Sequence, residues 1–153
     1  MIYLNNYGWN DKLHQLKQES TYNSLTHGRI SIVHRTCYEV VSENGLFQCE
    51  LTGNMMYGKS DFELPCTGDW VLFQPFDEHK GIIVDMLPRE RTLYRKKNGT
   101  VADKQAIASY VDKAFIVQSL DDNFNVRRAE RFMIQMQEEN ISPVLVFNKA
   151  DLG

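Results

Sequence analysis

The chain has little that would tie it to secretion, to a membrane or to bulk nucleic acid. It holds three cysteines in 153 residues, Cys37, Cys49 and Cys66. Their spacing matches no metal-ligand pattern, so no metal site is expected. They read as small buried apolar residues in a reducing cytosol, which makes the expected location cytoplasmic. Residues 1–6 carry no apolar run long enough for a signal peptide. No stretch approaches the roughly 20 apolar residues of a membrane span, so no membrane partner is expected. An excess of positive charge is also missing: 17 Lys and Arg face 20 Asp and Glu, a formal net charge of −3. That excludes a global nucleic-acid signature, and any basic surface must be local. There is no internal repeat and no low-complexity tract.

What is present is organised around the last stretch. Pro143, Val144, Leu145, Val146 and Phe147 run straight into Asn148, Lys149, Ala150 and Asp151. A short apolar run bounded by a turn signal reads as a buried strand of a parallel sheet. In such sheets ligands bind beyond the carboxyl ends of the strands. A carboxylate there, Asp151, can accept two hydrogen bonds from N1–H and the 2-amino group of guanine, a pair that adenine does not offer. The Lys149 stem can lie along the base and Asn148 can brace the loop. The alternative is a plain polar turn after a strand.

Ahead of this, residues 1–24 are polar, with a short helix expected after Asn10 as cap and Leu13 and Leu16 as its apolar stripe. From Thr26 to Leu87 the pattern is β. The runs are Ile30, Ile32 and Val33; Tyr38, Val40 and Val41; Phe47, Cys49 and Leu51; Asp69 to Phe73; and Gly81 to Met86. Asn44-Gly45 between the second and third signals a hairpin. Five short strands predict a small closed barrel, with the OB-fold the natural candidate and an SH3-like barrel the alternative. Residues 53–60 match G-x-x-x-x-G-K-[ST] letter for letter. A phosphate loop needs a helix starting at the Lys, and Pro65 and Gly68 leave no room for one. A barrel loop is expected instead, with Lys59 an exposed cation.

Residues 89–104 then carry Arg89, Arg91, Arg95, Lys96, Lys97 and Lys104 against Glu90 and Asp103. This reads either as a solvated loop or as an RNA-contacting basic linker beside a barrel of a type that commonly binds oligonucleotides. The candidate RNA-binding set is Arg89, Arg91, Tyr94, Arg95, Lys96 and Lys97. Among the aromatics Trp70, Phe76 and Tyr94 are candidate stacking groups, with Trp70 at least as well suited to the core. After the linker, Val111 to Ser119 reads as a strand and Val126 to Asn140 as an amphipathic helix. Its apolar face holds Val126, Ala129, Phe132, Met133 and Met136. With the final strand this makes a βαβ unit.

A barrel, a basic linker and an α/β unit reaching Asn-Lys-x-Asp form a rare order. It resembles the RsgA (YjeQ) family of circularly permuted GTPases, which act on the small ribosomal subunit. The matching stretches are Gly68-Asp69-Trp70-Val71, Gly81-Ile82-Ile83, Leu87-Pro88-Arg89, Gln105-Ala106-Ile107-Ala108, Val111-Asp112, Phe124-Asn125-x-Arg127-Arg128-x-Glu130-Arg131 and Asn148-Lys149-Ala150-Asp151-Leu152. Ser109-Tyr110 departs from the family's more frequent Ala-Asn.

The resemblance implies a mainly β chain: an N-terminal extension (1–24), an OB-like barrel (25–88), a basic linker (89–108) and the first βαβ unit of a permuted P-loop GTPase domain (109–153). It implies that Asn148, Lys149, Ala150 and Asp151 bind guanine, that barrel and linker hold ribosomal RNA, and that GTP and Mg²⁺ serve the whole protein. The phosphate loop, the switch segments and a zinc-binding domain would lie beyond Gly153, so these 153 residues alone are expected to be inactive in GTP hydrolysis. The competing expectation is a stand-alone RNA-binding barrel without nucleotide chemistry. Phe115, Val117, Phe132, Met136, Leu145 and Phe147 cannot all be covered by one helix and two strands. They are expected to pack on the barrel, to pair with a second copy of the chain, or to stay mobile.

Overall fold

The computed structural model describes residues 1–96, 104–119 and 126–148. Thr26–Val33 (β1), Tyr38–Ser42 (β2), Gly45–Leu51 (β3), Trp70–Pro75 (β4) and Lys80–Met86 (β5) close into a barrel in the order β1-β2-β3-β5-β4. Every pair is antiparallel except β3 with β5. The barrel is OB-like, as expected. Its core is Ile30, Val40, Phe47, Cys49, Val71, Phe73 and Ile83, with Met55 closing one end. The β2–β3 hairpin turns on Glu43 and Asn44, one residue earlier than the Asn-Gly signal suggests. Gly45, at φ +115°, already pairs with Ser42.

Both faces of β4 are covered. Val71 and Phe73 belong to the barrel interior, whereas Trp70 and Leu72 pack outside it with Leu4, Leu13, Val41, Leu87 and Tyr110. Trp70 is therefore core and not a stacking platform: it is fully buried and lies edge-on to Trp9. The first 24 residues are a cover for this outer face. Their helix Asp11–Glu19 (α1) starts where Asn10 Oδ1 accepts from the Leu13 amide at 2.9 Å, and it turns Leu13 inward.

In the loop from β3 to β4 a single turn, Gly53–Met56 (α2), is capped by Thr52, and its Met55 plugs the barrel. No helix starts at Lys59. The octapeptide thus carries its one helical turn at the wrong end for a phosphate loop.

The described residues of the linker are more regular than its charge suggests. Leu93–Lys96 (β6) and Lys104–Ala108 (β7) form an antiparallel pair. Beyond it, Lys113–Ser119 (β8) and Ser142–Asn148 (β9) pair in parallel, joined through Val126–Glu138 (α3). The helix covers one sheet face, burying Ala114, Ile116, Ala129, Met136 and Ile141. Val126, expected on that face, is exposed. The other sheet face stays open: Phe115 is 65% and Val117 59% exposed.

Candidate functional site

The joint between barrel and α/β unit is built on one carboxylate. Asp69, at the start of β4, is fully buried. Its oxygens accept from the Cys66 amide (2.7 Å), Ser109 Oγ (2.6 Å) and Arg89 Nε and Nη2 (3.0 and 2.8 Å). Arg89 also donates to the carbonyls of Phe62 and Leu64, and its side chain is only 11% exposed. Burial by itself would lower the Arg89 pKa, but the hydrogen bonds and charge of Asp69 outweigh it and hold the guanidinium above its ordinary value. Next to this pair, burial and the Asp69 charge push the Cys66 thiol up to about 12.

A second arginine laces the same joint from the barrel side. Arg29 on β1 donates to the carbonyls of Gly68 (2.9 Å), Tyr7 (2.6 Å) and Tyr110 (3.2 Å), and lies over the Trp70 ring. Burial lowers its pKa. Tyr110 closes the joint: its ring is buried and its hydroxyl donates to the Pro88 carbonyl. Burial, with Glu90 and Asp69 nearby, raises its pKa to about 12.

At the opposite end of the α/β unit, Asn148 ends β9 and pairs with Ser119 at the end of β8. It is exposed, at the carboxyl edge of a parallel pair, where ligands of α/β sheets bind. Lys149, Ala150 and Asp151 lie outside the described residues, as does Lys97 of the RNA set.

The remaining basic candidates divide. Arg89 is withdrawn from RNA contact because its donors are spent inside the fold. Arg91 is half-buried and faces Glu90 at 3.1 Å and Asp112 at 3.5 Å. Tyr94 packs edge-on to Phe62, with the Lys104 ammonium near both rings, 4.0 Å from Phe62 and 4.9 Å from Tyr94. Arg95 and Lys96 point to solvent. They open onto a groove of about 460 Å³ whose far wall is α3, with Arg128 and Arg131.

Sequence reasoning missed Asp69, Arg29 and the two helix arginines. An acid inside the run Asp69-Trp70-Val71-Leu72-Phe73 was the usable signal, since a charge in an apolar strand needs a partner. Nothing in the chain's order announces that Arg128 and Arg131 face the hairpin.

Among the described residues no group of three or more His, Cys, Asp or Glu could hold a metal ion. No described helix is long and apolar enough to cross a membrane.

Residues 86–153 match the model of the RsgA GTPase family. The chain is 73% identical over 147 residues to the small ribosomal subunit biogenesis GTPase RsgA 1 of Bacteroides thetaiotaomicron, covering 96% of this chain and 41% of that protein. It is 36% identical over 127 residues to RsgA 1 of Oceanobacillus iheyensis, covering 82% and 36%. The chain thus spans about two fifths of the length of these curated relatives. The fold is shared with YloQ, a circularly permuted GTPase, at TM-score 0.56 and 21% identity over 88% of this chain and 44% of that one. It is shared with YjeQ from Thermotoga maritima at TM-score 0.58 and 21% identity, over 84% and 42%. Family model, relatives and fold agree, and the chain belongs to the RsgA GTPase family.

Proposed function

We propose that these residues serve a protein that binds and hydrolyses GTP during assembly of the small ribosomal subunit. In this reading residues 109–153 supply the guanine-reading loop, and residues 25–108 supply the ribosomal-RNA contacts. The observation that carries it is Asn148 at the carboxyl end of a parallel strand, directly ahead of Lys149, Ala150 and Asp151, in a chain of the RsgA family. Asp151 accepts from N1–H and the 2-amino group of guanine, Lys149 lies along the base and Asn148 braces the turn. On the RNA side, Arg95 and Lys96 are the members of the linker set that remain exposed among the described residues, and Lys97 belongs with them by sequence.

The Asp151 role has a sharp chemical test. Xanthine keeps N1–H but presents a carbonyl where guanine has its amino group. Asp151→Asn offers one acceptor and one donor, the complement of xanthine. Equilibrium titration with GDP and XDP should show the parent preferring GDP and Asp151→Asn preferring XDP, each by about tenfold or more, because a mismatched base leaves buried polar groups unpaired. An unchanged preference in the variant removes Asp151 from base recognition.

A further inference from the structure

The β6–β7 pair sets two lysines against each other. Lys96 and Lys104 are opposite partners in the antiparallel ladder, so both side chains leave the same face. Like charges directly opposite destabilise a strand pair. The fold draws the two apart. Lys96 is exposed, whereas Lys104 is half-buried. The Lys104 ammonium reaches back diagonally to Tyr94, two residues from Lys96 on the same face, and lies 4.9 Å from its ring centroid. It lies 4.0 Å from the centroid of Phe62. The two rings stand at 86° to each other with centroids 6.0 Å apart, so they form two walls of a box around the cation.

One wall of the box is fixed from the barrel side. The Arg89 guanidinium lies over the Phe62 ring at 5.5 Å and donates to the Phe62 carbonyl. Arg89 is itself held by the buried Asp69. The other wall, Tyr94, belongs to the hairpin. Nearer its base the hairpin has other anchors. The Thr92 amide donates to Glu139 Oε1 at 3.0 Å and the Tyr94 amide to Gln135 Oε1 at 2.9 Å, and Ala108 bridges to Thr67. The Lys104 box extends this hold to the outermost described pair of the ladder, the pair that carries Lys96.

We propose that Lys104 is a positioning residue of the RNA surface: boxed by Phe62 and Tyr94, it holds the outer part of the hairpin against the barrel loop and presents Lys96 to phosphate without touching RNA itself. The proposal rests on the RNA role given above for Lys96 and adds that the two opposed lysines have different roles. A count of charges gives both the same one. For Lys104 to reach a phosphate, its ammonium would have to leave two rings whose attraction strengthens as water is excluded.

Fluorescence anisotropy with a short mixed-sequence RNA, at several salt concentrations, tests this on four chains: the parent, K96A, K104M and K104R. Met keeps an unbranched apolar stem and removes the charge, and Arg keeps a cation for the rings. K96A should flatten the salt dependence by about 0.7, the loss of one single-strand phosphate contact. K104M should bind about three- to fivefold more weakly at the parent's salt slope, because a loosened hairpin is competent to bind for a smaller fraction of the time. K104R should bind like the parent. Amide hydrogen exchange gives a readout without RNA. The Arg95 and Gln105 amides, opposite partners in the ladder, should exchange faster in K104M and at the parent rate in K104R. A salt slope in K104M flattened as in K96A makes Lys104 a phosphate contact and overturns the proposal, leaving the RNA role standing. Parent affinity or parent exchange in K104M overturns it too, as does a K104R chain as weak as K104M. A parent chain that binds no RNA removes the RNA role, and the proposal with it.

Discussion

At the scale of single residues, the joint depends on Asp69. It ties together the loop before β4, the residue after the barrel and the first residues of the α/β unit. Removing it leaves the Arg89 guanidinium buried without its counter-charge. Asp69→Ala should cost about 3–5 kcal/mol in urea unfolding, whereas Asp69→Leu combined with Arg89→Met should recover only part of the loss, because the Cys66 amide, Ser109 Oγ and the Phe62 and Leu64 carbonyls lose their partners as well. Equal destabilisation of the single and double variants would mean that Asp69 matters only as a hydrogen-bond acceptor for Cys66 and Ser109. Gly68 beside it is required by space and by backbone: its φ is +94°, and a Cβ there would lie 2.2 Å from the Ser109 carbonyl oxygen. Tyr110 also has a left-handed backbone, φ +55°. Asn tolerates that conformation more easily. The burial of the Tyr110 ring and its bond to Pro88 give the larger residue a reason to stand there.

At the scale of elements, two segments contradict their own local signals. The stretch 53–60 has the letters of a phosphate loop but not its helix. Its neighbour Phe62 is held under Arg89 and Lys104, which pins the loop to the joint and the hairpin. Lys59→Ala should therefore leave GDP affinity within about twofold of the parent, and stability within about 0.5 kcal/mol, as for exposed surface residues. A loss of affinity of tenfold or more would restore a phosphate role. The linker errs the other way. Its charge reads as solvated loop, yet β6 and β7 pair, because Leu93 packs against the α3 cluster and Ala108 bridges to Thr67 of the barrel loop.

At the scale of the molecule, the two faces of the β8–β9 pair have different fates. Ala114 and Ile116 are sealed by α3, and Phe115 and Val117 stand in solvent beside Val146. The barrel does not cover them, which removes one of the routes expected for these side chains. An open apolar face on an edge-bearing sheet favours pairing between copies. Sedimentation of the 153-residue chain at rising concentration should show a growing mean mass, and Phe115→Ser with Val117→Ser should hold it at one chain. A parent that stays monomeric throughout would show that this face is tolerated in water.

The sequence by itself determined the elements and their order. Five β-prone runs separated by turn residues have few ways to bury their alternate side chains other than a small barrel, and an apolar helix period between two apolar runs makes a βαβ unit. Asn148-Lys149-Ala150-Asp151 could be proposed as a base-reading loop from the chain alone, because its chemistry lies in consecutive residues. What tertiary structure alone decided is which charges are spent within the fold and which are left for a partner. Arg89 and Arg95 look alike in the chain, six residues apart. One meets Asp69, brought to it from the barrel's fourth strand, and the other faces a groove that α3 completes. That distinction depends on residues 20 to 40 positions away, and no local pattern of charge or hydropathy carries it.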